Sequence, residues 1–244
     1  MGRRTTIILP QVTIEGMAAK GKAFGRAKDE KIVFVPFAAP GDKIDVRVTK
    51  KRSKFYEGVI EKIHQPSEER VTPRCLHFGT CGGCKWQHIN YETQLKGKQH
   101  EVIENLKRIG QVTPKEVYEI LGAEEQYDYR NKMEFSFSAK KWLTEEQIKS
   151  DEKIDSRNGL GLHIAGAWDK VLHLDECHLQ HAPSDEIRKT IYAFAIENNI
   201  TFFDPREEHG FLRTLMIRTS LSGEIMVLLQ FFEDQPKWTE QLLG

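Results

Sequence analysis

Short runs of alternating apolar and polar positions fill the first quarter of the chain. In Ile44-Asp45-Val46-Arg47-Val48 every second side chain is apolar, a period of two that turns one face of a strand to a core and the other to water. Comparable runs at residues 8–15, 21–27, 31–37, 43–51 and 55–64 predict five short strands, with turn chemistry at Pro40-Gly41-Asp42 between the third and fourth. Strands of this number and spacing predict a small all-β barrel with Greek-key connections, an OB-fold.

From residue 91 the period changes. Tyr91, Leu95, Val102, Leu106 and Ile109 approximate one helical stripe, and Gly110 ends the helix. Further strands are expected at 129–138, 160–165, 170–174, 211–219 and 224–232, the last two joined through Leu221-Ser222-Gly223. A helix over 184–197 takes Ser184 as its cap, with Asp185 and Glu186 in its first turn. Residues 141–158 are highly charged and aperiodic, so they read as an exposed insertion within a hairpin. The expected organisation is an OB-fold barrel domain over residues 1–66, then an α+β domain with a mainly antiparallel sheet over 67–244.

The formal net charge of zero conceals an imbalance. Residues 1–65 hold 14 Lys and Arg against 7 Asp and Glu, a net +7 that the rest of the chain offsets. The barrel is therefore the expected polyanion binder. Lys50, Lys51, Arg52 and Lys54 stand beside Phe55 and Tyr56, pairing cations for phosphates with rings for stacking bases. A solvated hairpin tip would have the same composition, and it is the barrel context that favours RNA. Arg130, Asn131 and Lys132 form a second cluster able to reach phosphate or base edges, or simply to face solvent. The start of the chain carries no apolar secretory segment, so a cytoplasmic protein away from membranes is expected.

Three of the four cysteines, Cys75, Cys81 and Cys84, crowd into one stretch, and Cys177 is the remaining partner. Disulfides do not suit a chain this long with no secretory signal. Structural zinc usually takes two short Cys-x-x-Cys knuckles, whereas three clustered ligands and one remote one suit an iron-sulfur cubane better. Gly82 and Gly83 let the loop bend tightly and aim N–H groups at sulfur. Zinc stays open as a rival. So does an electron-transfer or radical iron-sulfur protein, although the loop departs from the Cys-x3-Cys-x2-Cys triad of the methylthiotransferases.

Arg70-Val71-Thr72-Pro73-Arg74-Cys75, Cys81-Gly82-Gly83-Cys84-Lys85-Trp86-Gln87-His88, Tyr91, Gln94-Leu95, Tyr129-Arg130-Asn131-Lys132 and Cys177-His178-Leu179-Gln180 together resemble the RNA (uracil-5-)-methyltransferase family. The resemblance runs over essentially the whole chain. It implies an amino-terminal TRAM domain and a 4Fe-4S cluster on Cys75, Cys81, Cys84 and Cys177. It also implies contact with RNA, most naturally a uridine of 23S ribosomal RNA, to which Lys85, Gln87 and His88 after the cysteine loop would add. Family members add a cysteine thiolate to uracil C6, pass a methyl group from S-adenosylmethionine to C5, and remove the C5 proton with a carboxylate.

This chain departs from that pattern. No cysteine is left to act as nucleophile, and no glycine-rich strand-to-helix turn for S-adenosylmethionine is evident. Gly159-Leu160-Gly161 lies inside a strand pattern, and Asp204-Pro205-Arg206 lacks the second proline and the cysteine of the family's catalytic motif. The expectation is a monomeric RNA-binding and iron-sulfur portion, inactive alone, whose partner is a carboxy-terminal methyltransferase domain. A stand-alone RNA-binding iron-sulfur module and a transfer RNA substrate remain as alternatives.

Overall fold

The computed structural model describes residues 6–150 and 156–243. Two compact units form, one from residues 1–74 and 85–124, the other from 75–84 and 125–244.

The first unit is built on five strands, β1 (Ile8–Ala18), β2 (Lys22–Arg26), β3 (Ile32–Pro36), β4 (Lys43–Lys51) and β5 (Phe55–Gln65). They close in the order β1-β2-β3-β5-β4, with β3 and β5 parallel and β1 sealing the barrel against β4 through pairs such as Val12 with Ile44. The alternation seen in sequence is what fills it: Val12, Ile14, Ala23, Val33, Val35, Ile44 and Val46 are all buried. Each large aliphatic among them contributes about 1.5–3 kcal/mol by leaving water. Closure needs backbones to touch. A Cβ on Gly25 would stand 2.2 Å from the Thr13 carbonyl oxygen.

Helix α1 (Tyr91–Arg108) belongs to this unit, although the sequence assigns it to the second domain. It lies on β1 because Gly97 has no side chain, and a Cβ there would meet Met17 Cγ at 2.8 Å. Asn90 caps it, accepting the Thr93 N–H at 2.9 Å. The expected apolar stripe is not its buried face: Val102 is 58% and Ile109 79% exposed. The helix instead meets the barrel near its first turns, through small and polar residues that a hydrophobic pattern does not weight.

The second unit carries β6 (Lys132–Ser138), α2 (Glu145–Lys149), β7 (Gly159–His163), β8 (Val171–His173), α3 (Ser184–Glu197), β9 (Leu212–Thr219), β10 (Ile225–Phe231) and α4 (Pro236–Leu243). The sheet order is β10-β9-β6-β7-β8, and every strand pairing is antiparallel. Phe135, Phe137, Leu160, Phe202, Phe211, Leu215 and Ile217 form its core, with Ile187, Ile191 and Tyr192 of α3 packed against them. The charged insertion does interrupt a hairpin, since β6 pairs with β7. It holds α2, closed by a capping box between Thr144 and Gln147, and residues 151–155 lie outside the described residues. Ser184 is not the cap of α3. It is buried, and its hydroxyl donates to Gln180 Oε1, while Pro183 occupies the cap position without a side-chain bond.

Candidate cysteine centre and nucleic-acid interface

All four cysteines fall in the second unit, partly buried, and no disulfide joins them. The loop from Cys75 winds on itself, the Phe78 N–H reaching the Cys75 carbonyl at 3.1 Å and the Cys81 N–H the His77 carbonyl at 2.9 Å. It then docks on the end of β7: the Gly82 N–H donates to the His163 carbonyl at 3.0 Å, and Cys81 bridges to Ile164. Only glycine fits there, because a Cβ on Gly82 would sit 2.4 Å from that carbonyl oxygen. The Gly83 N–H points to Cys81 Sγ at 3.4 Å.

The chain after β8 brings the fourth thiol in. The Asp175 N–H donates to His77 Nε2 at 3.1 Å, stitching this segment to the cysteine loop. The Cys177 N–H donates to Asp185 Oδ2 at 2.9 Å. Burial pushes the Cys177 thiol up to about 11, helped by the neighbouring Asp185 carboxylate and the thiols of Cys81 and Cys84. Burial likewise raises Cys75, and Cys84 adds to the effect. Each of the four sulfurs therefore lies within electrostatic reach of another. Among the described residues, no three His, Cys, Asp or Glu side chains close on a point that would hold a single metal ion.

Beside this loop lies an open cavity of about 460 Å³, lined by Gly82, Gly83, Arg130, Lys132, Met133, Glu134, Leu162 and His163. Arg130 and Asn131 are exposed just ahead of β6, and Lys132 opens the strand with its Nζ 2.5 Å from Glu134 Oε1. The sequence marks Arg130, Lys132 and the two glycines of this wall as candidates. Glu134, Leu162 and His163 lie within the expected strands 129–138 and 160–165, with no role assigned to them as wall residues.

In the barrel, Lys50 and Lys51 end β4, and Arg52, Ser53 and Lys54 turn into β5, the turn closed by the Arg52 N–H on the Phe55 carbonyl at 2.9 Å. All four cations are exposed. Phe55 is partly buried edge-on to Phe34. Tyr56 is buried, its hydroxyl donating to Asp29 Oδ2 at 2.9 Å, so its ring serves the barrel interior. Lys85 and Gln87 are partly buried, with the Lys85 stem against Gly21, which takes φ +76°. His88 is buried near the Ala38 carbonyl, and burial lowers its pKa.

No helix among the described residues is long and apolar enough to cross a membrane. The two units are thus a closed five-stranded barrel with a cationic turn and an antiparallel sheet bearing a cysteine loop. Residues 11–60 match the TRAM domain family, so the first unit contains a TRAM domain. A protein of Porphyromonas gingivalis named "Uncharacterized RNA methyltransferase" is 47% identical over 95% of this chain and 50% of its own length. One of Bacteroides thetaiotaomicron with the same name is 44% identical over 87% of the chain and 47% of its length. A solved structure, the Pyrococcus abyssi tRNA (uracil-54, C5)-methyltransferase in complex with S-adenosyl-L-homocysteine, superposes with a TM-score of 0.60 at 26% identity. It is matched over 94% of this chain and 48% of its own. The chain is thus similar to proteins named RNA methyltransferases and spans about half the length of the curated relatives it matches.

Proposed function

We propose that residues 1–244 are the RNA-binding and iron-sulfur portion of an S-adenosylmethionine-dependent RNA (uracil-5-)-methyltransferase. The observation that carries this reading is the combination, in one chain, of a TRAM barrel with likeness along nearly its whole length to a uracil-C5 methyltransferase. The barrel grips phosphates through Lys50, Lys51, Arg52 and Lys54, with Phe55 offering a ring edge, while Tyr56 and His88 hold the strands and loops that present them. Lys85 and Gln87 extend that surface within the same unit. Arg130, Asn131 and Lys132 receive RNA at the mouth of the cavity in the second unit.

Cys75, Cys81, Cys84 and Cys177 would hold a 4Fe-4S cluster. The tight loop that Gly82 docks on β7 carries three of these thiols and the segment stitched to it at His77 carries the fourth, a set of four soft ligands of the kind such a cluster takes. Its part is architectural, since uracil methylation moves no electrons. Among the described residues the second sheet offers S-adenosylmethionine no parallel strand-helix-strand crossover. This cofactor, the nucleophilic cysteine and the proton-removing base are therefore assigned to the half of such an enzyme outside these residues. Residues 1–244 alone should bind RNA without methylating it.

The resemblance in sequence points to 23S ribosomal RNA. The tRNA specificity of the Pyrococcus abyssi enzyme favours transfer RNA as a second reading. Competition binding of the purified chain with a 23S ribosomal RNA loop and with transfer RNA, at several salt concentrations, decides between them. Binding to neither would end the proposal.

A further inference from the structure

One cation in the second unit is entirely withdrawn from water. Arg188, on the first turns of α3, is 0% exposed. Its guanidinium donates to the carbonyls of Leu174 and Asp175, the latter at 3.2 Å, and to Asp185 Oδ1 at 2.9 Å. It stands 5.5 Å over the ring of Phe135, and its Nε finds no acceptor among the described residues. A buried charge of this kind contributes little net stability over an apolar side chain of the same shape, so its retention calls for a second reason.

The second oxygen of Asp185 supplies one. Oδ2 accepts the Cys177 N–H at 2.9 Å, so a single carboxylate ties Arg188 to the backbone of the remote cysteine. Three of the guanidinium's acceptors then lie at residues 174, 175 and 185, which bracket Cys177 on both sides. Arg188 neutralises the Asp185 carboxylate while leaving its second oxygen free to hold the Cys177 N–H.

We infer that Arg188 is a positioning residue for the cysteine centre: through Asp185 and the Leu174 and Asp175 carbonyls it fixes the backbone on both sides of Cys177. This rests on the reading of the four cysteines as cluster ligands. Loss of an outer partner of a metal ligand usually weakens metal retention by roughly 10- to 100-fold.

The test uses the full chain reconstituted anaerobically with iron and sulfide, with iron per chain and iron loss to a chelator as readouts. Wild-type protein that takes up no iron overturns the cysteine reading itself. If wild type is loaded, R188M should lose iron roughly 10- to 100-fold more readily. The double variant R188M/D185N should regain part of the loss, because asparagine still accepts the Cys177 N–H and carries no charge. The melting temperature of each iron-free variant is recorded alongside, and iron loss that merely tracks it would mark Arg188 as structural and overturn the inference. Unchanged iron retention in R188M, or a double variant no better than R188M, overturns the inference. Should circular dichroism find R188M unfolded, R188K carries the test. It keeps the charge but cannot reach all three acceptors, so retention should fall between wild type and a Cys177→Ser control, and wild-type retention in R188K overturns the inference.

Discussion

Arg70 holds both carboxylate oxygens of Asp42, Nε to Oδ1 at 2.8 Å and Nη2 to Oδ2 at 2.7 Å, and so ties the segment leaving the barrel to the turn between β3 and β4. The same carboxylate accepts the N–H groups of Ala39 and Ser67, so a fully buried charge has four donors. Burial on its own would raise the Asp42 pKa, but the Arg70 and backbone hydrogen bonds outweigh it and hold the carboxyl below its ordinary range. Removing one partner of such a pair typically costs about 3–5 kcal/mol. R70A and D42N should each lower the unfolding free energy of the first unit by an amount of that order, read from the denaturant midpoint and slope. A shift no larger than that of an exposed control such as E68A would show the pair to be dispensable.

Acid should weaken the second unit before carboxylates titrate. His173 is partly buried, tilts against Tyr192 with ring centroids 4.3 Å apart, and accepts the Leu160 N–H at Nδ1. Burial depresses its pKa from 6.5 to about 4. The unfolded chain therefore takes up a proton at a higher pH than the folded one does. The stabilisation is complete above pH 6.5 and is lost as pH falls from there toward about 4. Melting temperatures recorded between about pH 7 and about pH 4.5 should decline, and H173Q should flatten the slope. A flat profile in the wild-type chain would remove His173 from this role.

Substitution at Gly161 should prevent the second sheet from closing. A Cβ at that position would stand 2.0 Å from the Leu172 carbonyl oxygen, with Leu174 packed alongside. Backbone offers no rotamer escape, so G161A is expected to cost at least about 1–3 kcal/mol, the range seen for overpacking. G223A is a useful contrast, since nothing lies within 4 Å of a Cβ there and its only strain is a φ of +94°. Equal expression and melting of G161A and wild type would contradict the tight β7–β8 approach.

Neutralising Lys50, Lys51, Arg52 and Lys54 together should weaken RNA binding and flatten its dependence on salt. Each single-strand phosphate that is no longer neutralised reduces the log–log slope by about 0.7, so the slope should drop by up to roughly three units. Fluorescence anisotropy between low and physiological salt measures it. An unchanged slope would move the RNA surface off the β4–β5 turn.

Replacing Cys81 by serine should abolish bound iron in the anaerobically prepared chain. Zinc in stoichiometric amount in the wild-type protein, in place of iron and sulfide, would overturn the cluster assignment.

How far the sequence reveals the fold depends on how local each signal is. The barrel strands are visible because alternation such as Ile44 to Val48 is written in neighbouring residues, and because β-branched side chains suit a pleated wall. The parallel pairing of β3 with β5 is not, since it depends on residues more than twenty positions apart. Tyr56 and His88 read as RNA ligands along the chain because aromatic and imidazole rings serve surface and core equally well, and only closure of the barrel decides which. The gathering of the cysteines is legible because thiols are rare and their spacing is distinctive. Asp185 reads along the chain only as a first-turn acid and Arg188 draws no notice, because charges at helical spacing usually face solvent and nothing marks Arg188 as turning inward.

The last strand has a practical bearing on how the isolated chain behaves in a tube. β10 forms the edge of its sheet and exposes Ile225, Met226, Val227 and Leu228 between 41% and 56%, greasy on both faces and bonded along one flank to β9. Such an edge recruits any extended peptide that reaches it. Concentrated solutions should therefore turn cloudy through this strand first, and a lysine placed at Val227 should keep them clear without disturbing the β9 ladder.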